Sequence, residues 1–187
     1  MLTLLSDGHT PSTLPYHLIV PSLPGYAFSS GPPLDKDFRI DDVARILNRL
    51  VIGLGFEQGY VVQGGDIGST IARVMAAEHA SCKGEAAKWR LIKIQSFTDL
   101  PICILLTPGN IGAHENPKWY IKKPFGFSWF PKEIAPVPQS WAATTGNLVF
   151  FRQHTKGGHF AALERPDVLA KDIKDFIEQV WPQAQKA

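Results

Sequence analysis

Three residues far apart in this chain have the types and neighbours that covalent hydrolysis needs: Asp66, Glu133 and His159. Asp66 stands in Gly64-Gly65-Asp66-Ile67-Gly68-Ser69, after the apolar run Tyr60-Val61-Val62 and before the helix-like run from Ile71 to Ala77. A small residue two positions before and two positions after a reactive one is the spacing of a nucleophile elbow. This is the sharp strand-to-helix turn that holds a side chain up at the end of a sheet. Only small neighbours let the backbone turn so tightly, and glycine bears unusual φ/ψ at least cost. The apex is a carboxylate rather than a hydroxyl. An aspartate attacks carbon as an anion and leaves an alkyl ester that water must then hydrolyse. The first step needs no base, and the second does.

His159 is the candidate base, in Gly157-Gly158-His159-Phe160-Ala161-Ala162. A third group should orient its imidazole, and Glu133 in Phe130-Pro131-Lys132-Glu133-Ile134 is the best placed carboxylate. The backbone N–H of Ile67, which follows the nucleophile, should offer an oxyanion donor. Each residue alone has a plainer reading. An aspartate after two glycines is commonly a turn or helix-cap residue, and a glutamate after Pro-Lys is commonly solvated. The strand before the elbow, the helix after it and the distant Gly-Gly-His favour the catalytic reading together. His154 reads as a loop histidine. His9, His17, His79 and His114 have no ligand-like spacing, so no metal site is expected, and no glycine motif for a phosphate or dinucleotide cofactor is present.

The elements that must position these residues read as an alternation of strands and helices. Leu18-Ile19-Val20, closed by Pro21, has the apolar run of a buried parallel strand. Ile40, Val43, Ala44, Leu47, Leu50, Val51 and Leu54 repeat at helical spacing, with Asp41 and Asp42 at the end where the dipole favours acids. Gly59 to Gln63 is the next strand, and the helix after the elbow runs to about Ala80. Trp119-Tyr120-Ile121 and Leu148-Val149-Phe150-Phe151 read as the last two strands. Pro166 opens a final helix whose face is Val168, Leu169, Ile173, Phe176, Ile177 and Val180. The alternation predicts an α/β fold with a mainly parallel sheet flanked by helices. Between its halves, Leu91 to Ile94 and Leu100 to Leu106 are apolar enough for strands.

The order nucleophile, acid, histidine is that of the α/β-hydrolase fold, and the chain resembles epoxide hydrolases of the microsomal type within it, nearest the soluble fungal members. Four stretches carry the resemblance: His17 to Tyr26, the Gly-Gly-Asp elbow, Phe125 to Glu133, and Gly157 to Glu164. It implies that Asp66 opens an epoxide and that Glu133 pairs with His159. It also implies a single partial core domain over 1–187. Residues 15–82 form its elbow half, 83–115 an unmatched segment where a helical cap belongs, and 116–187 its acid and histidine half. Family members are longer. They carry an upstream His-Gly loop at the oxyanion hole and a cap whose two tyrosines hydrogen-bond the epoxide oxygen. Neither is recognised here, and Tyr16, Tyr26, Tyr60 and Tyr120 lie outside any cap-like context. A catalytically impaired, truncated remnant is therefore one alternative, and a dehalogenase-like enzyme sharing the aspartate nucleophile is another.

Bulk properties are those of an ordinary globular domain. The 187 residues suffice for one domain with a real core, and 44% hydrophobic and 19% charged residues are ordinary for a globular chain. A net charge of +2 without a polybasic block gives no sign of nucleic acid or anionic membrane as a partner. No run is long enough to span a membrane, and the first residues lack the pattern of a signal peptide. With Cys82 and Cys103 as isolated thiols, a reduced, cytoplasmic protein is expected. A sheet without its usual flanking strands would expose an edge, which invites dimerisation or aggregation.

Overall fold

The computed structural model of the chain describes residues 1–82, 90–94 and 116–184. In chain order the elements are α1 (Leu2–Ser6), β1 (His17–Ile19), α2 (Ile40–Gly53), β2 (Val61–Gly64), α3 (Ile67–Glu78) and β3 (Arg90–Ile94). A 3-10 turn (Pro117–Trp119) leads into β4 (Ile121–Trp129), followed by α4 (Gln139–Ala143), β5 (Gly146–Gln153), α5 (Ala161–Glu164) and α6 (Pro166–Ala184).

All strand pairs are parallel, and among the described residues they form two sheets, β1-β3-β2 and β4-β5. β1 and β2 follow one another through α2 but do not touch. β3 lies between them, pairing His17 with Arg90 on one side and Gly64 with Ile94 on the other. Part of the segment expected to stand in for a cap is thus a strand of the core sheet; residues 83–89 and 95–115, with Cys103 and the apolar run at 100–106, lie outside the described residues. Just before β2, Tyr60 makes an isolated parallel bridge to Cys82. Lys123 of β4 reaches the same place, donating from Nζ to the carbonyls of His79, at 2.8 Å, and Cys82.

Alternation along β2 divides the core into two layers, because successive strand residues point to opposite faces. Tyr60 joins one cluster with Val43, Leu47 and Val51 of α2, Ile71, Val74 and Met75 of α3, and Trp119. Val61 joins the other with Leu5 of α1, Tyr16, Phe130 and Leu169, Ile173 and Ile177 of α6. Helices therefore cover both faces, as a parallel sheet requires. Each fully buried side chain of α3 contributes roughly 1.5–3 kcal/mol, so the helix behind the elbow is firmly seated. Arg73, also buried on α3, donates to the Trp119 and Thr145 carbonyls and to Thr145 Oγ1, tying the elbow helix to the starts of β4 and β5. Burial pulls its guanidinium down to about 10.

Two local features differ from what the sequence spacing implies. Leu50 and Leu54, at helical spacing with the buried face of α2, are exposed. Ile40, Val43, Ala44, Leu47 and Val51 already complete its stripe, and the other two lie beside it. Trp119 and Tyr120 do not belong to the penultimate strand. Asn116 caps Lys118 N–H and Pro117 starts a 3-10 turn, so the strand begins at Ile121 and runs to Trp129. Pro124 inside it is accommodated at a break in register, since it has no N–H to give a ladder.

Candidate active site

Asp66 sits between the last residue pair of β2 and the first turn of α3 with φ +52° and ψ −131°, a conformation that L side chains rarely adopt. Such strain persists where the surroundings over-determine it. Here the cause is visible in the flanking glycines. A Cβ on Gly64 would lie 2.1 Å from the Gly68 carbonyl oxygen, so the residues two before and two after Asp66 touch backbone to backbone. A Cβ on Gly65 would meet nothing within 4 Å. The two substitutions should therefore part sharply. Gly64→Ala is expected to destroy the folded, soluble protein, whereas Gly65→Ala should keep its melting temperature within a few degrees, as circular dichroism would show.

His159 and Glu133 arrive from the other sheet. β4 ends at Trp129 and β5 at Gln153, and the loops after them meet in a parallel bridge between Lys132 and Gly158, reinforced by Lys132 N–H donating to the Gly157 carbonyl at 3.1 Å. Gly158 is small for cause, because a Cβ there would lie 2.4 Å from the Lys132 carbonyl oxygen. This contact puts the two side chains in register. His159 Nδ1 lies 2.5 Å from Glu133 Oε1, and His159 Nε2 faces Asp66 Oδ2 at 3.3 Å. The three residues singled out in the sequence lie in one hydrogen-bonded row spanning both sheets. The hydrogen bond to Glu133 is the largest cause raising the His159 pKa above its ordinary value of 6.5; partial burial opposes it, and Asp66 adds to the rise. Ile67 is the first residue of α3, where a helical N–H has no partner within its own helix. No group of three or more His, Cys, Asp or Glu that could hold a metal occurs among the described residues.

The alpha/beta hydrolase fold model matches residues 10–85. The solved structure of Aspergillus niger epoxide hydrolase superposes with a TM-score of 0.78 at 35% sequence identity, over 96% of this chain and 68% of that one. The chain belongs to the epoxide hydrolase family of the α/β-hydrolase fold. A Dothistroma septosporum protein named "Putative epoxide hydrolase" is 32% identical over 260 positions, which take in 95% of this chain and 62% of that protein. Epoxide hydrolase 1 of Oryctolagus cuniculus is 41% identical over 72 residues, 38% of this chain. The chain thus spans less than two thirds of the Dothistroma protein. An alignment of 260 positions against a chain of 187 residues also means that this relative inserts residues without counterparts here.

As an epoxide hydrolase relative, the chain presents an open site. The Asp66 side chain is 42% exposed and that of Glu133 35%, against 17% for His159. Ile134, Phe160 and Leu163, neighbours of Glu133 and His159 in the chain, are largely exposed apolar residues. Sequence reading missed one group close by. His154, read as a loop histidine, is mostly buried, with Nε2 2.7 Å from Oδ2 of Asp172, itself 2% exposed. The signal was present in α6. Asp172 lies three residues after Leu169 and four before Phe176, within the apolar stripe, where a carboxylate demands partners.

Proposed function

We propose that the chain hydrolyses a small-molecule epoxide to a vicinal diol through an ester on Asp66, with no cofactor. The observation that carries this reading is the row Asp66, His159, Glu133, with a carboxylate at the strained apex. An oxygen of the Asp66 carboxylate bonds to an epoxide carbon, and the carbon–oxygen bond of the ring breaks with its pair passing to oxygen. The alkoxide takes a proton from the water that reaches this open site. Esterification removes the negative charge of Asp66, one of the groups raising the His159 pKa, so the imidazole becomes easier to deprotonate when a base is needed. His159 Nε2 then takes a proton from water, whose oxygen attacks the Asp66 carbonyl carbon. Ile67 N–H donates to the developing oxyanion, the diol oxygen leaves with the proton held by His159, and the acid formed on Asp66 gives its proton to the hydroxide left by the first step, restoring the carboxylate.

A second reading, that chemistry is slow in this chain, is favoured by the exposure of Asp66, since water weakens each electrostatic contact of the site. Incubation with styrene oxide separates the two. The first reading expects diol with multiple turnovers, and the absence of both diol and ester adduct would remove the enzyme reading. Dimerisation through an exposed sheet edge is a further proposal open to size-exclusion measurement. No helix of the described residues is long and apolar enough to cross a membrane.

Glu133→Gln tests the base directly. Loss of the charge should lower the His159 pKa toward 6.5, moving the acid limb of the pH–rate profile to lower pH. The plateau rate should fall on the order of a hundredfold or more, because an amide stabilises the imidazolium poorly. The raised pKa also has a stability consequence. The protonated pair stabilises the fold fully below the unfolded His value near 6.5, and this contribution is lost as the pH rises through the higher folded value. A wild-type acid limb centred below 6.5 would contradict the assignment.

A further inference from the structure

We infer that the buried pair Asp172–His154 positions Glu133 and His159 for the ester-hydrolysis step, a role resting on the function proposed above. The contacts form a continuous chain from α6 to the site. Asp172 Oδ2 accepts from His154 Nε2 at 2.7 Å, while Oδ1 accepts from Arg152 Nη1 at 2.7 Å. Arg152 is held in turn by Asp175, which also takes Lys171. A hydrogen-bonded, nearly dry carboxylate fixes the ring it holds, because leaving either partner unpaired is costly. The His154 ring is stacked on Phe130 with centroids 4.7 Å apart and planes 24° apart, and its backbone N–H donates to the Trp129 carbonyl at 3.0 Å.

Phe130 carries the constraint onward. It is 5% exposed and supports Gly157 so closely that a Cβ there would lie 2.9 Å from the ring. Gly157 and Gly158 make the bridge to Lys132, and the residues next along the two loops are Glu133 and His159. The pair thus sits under both loops that carry the 2.5 Å contact, and none of its atoms belongs to the row at Asp66. Asp66 is held by the other sheet. Slackening this support should spare ester formation and slow ester hydrolysis, where a displacement of about 1 Å can cost on the order of a hundredfold.

His154→Phe keeps the ring stack and removes the hydrogen bond, and Asp172→Asn keeps the shape and removes the charge. Stopped-flow and quenched-flow mass measurement with styrene oxide should show hydrolysis of the ester slowed tenfold or more in both variants. Ester formation should change less than about threefold. A role confined to stability would instead lower the melting temperature and leave the ratio of the two rates as in the wild type, which would overturn the inference. If Asp172→Asn fails to fold, His154→Phe alone decides. A wild type that forms no ester would defeat the proposed function, and the inference would then be read from the proton on His159 Nδ1 by nuclear magnetic resonance. That signal should shift or broaden in His154→Phe, and an unchanged signal overturns the positioning role.

Discussion

Asp66→Ala is expected to bring epoxide opening to background and to abolish the covalent adduct. Removing the nucleophile of a covalent hydrolase costs on the order of a millionfold in kcat, because the remaining groups have no reacting atom to serve. Within the described row neither partner is placed to substitute: His159 Nε2 faces Asp66 at 3.3 Å and its Nδ1 is engaged by Glu133. Folding should survive the change, since α3 is anchored by Ile71, Val74 and Met75 rather than by the apex side chain, which makes no capping hydrogen bond. Residual turnover above a few per cent with intact folding would move the nucleophile elsewhere.

His159→Gln should stop turnover by a different route. Alkylation of Asp66 requires only the carboxylate, whereas release requires a proton to leave the attacking water. General-base catalysis is worth about 10²–10⁴ in rate. The variant should therefore still consume one equivalent of epoxide and then stall as the ester, with turnover reduced at least a hundredfold. Intact mass would show the protein heavier by the mass of one epoxide. A variant that is slow in both steps to the same degree would assign His159 to binding or folding instead.

That Asp66, Glu133 and His159 would meet was legible in the sequence because their surroundings are marked by local sterics. Gly64 is small because a Cβ there would meet the Gly68 backbone, and Gly158 because a Cβ would meet that of Lys132; such contacts leave glycines beside Asp66 and His159. The helices were legible through periodicity, and α2 and α6 bury the stripes their spacing implies, apart from Leu50 and Leu54. What periodicity does not contain is strand order. That Arg90–Ile94 would lie between β1 and β2 depends on a pairing between residues far apart, and an apolar pentapeptide fits many neighbours. Likewise Trp119 has the composition of a strand residue, and only the cap from Asn116 and the following Pro117 decide for a turn. His154 was illegible for a further reason. Its partner Asp172 is eighteen residues away on a helix, and neither residue is flanked by anything that announces the pair. The acid within the stripe of α6 was the available clue.

The covalent mechanism requires an oxygen of Asp66 to enter the product. A single turnover of styrene oxide with excess protein in water labelled with oxygen-18 measures this directly. The ester route sends the unlabelled carboxylate oxygen into the diol and leaves one oxygen-18 on Asp66, which peptide mass mapping across Gly64 to Arg73 would locate. A first-turnover diol that carries the label, with Asp66 unlabelled, would mean that water attacks the epoxide itself and would contradict the covalent mechanism.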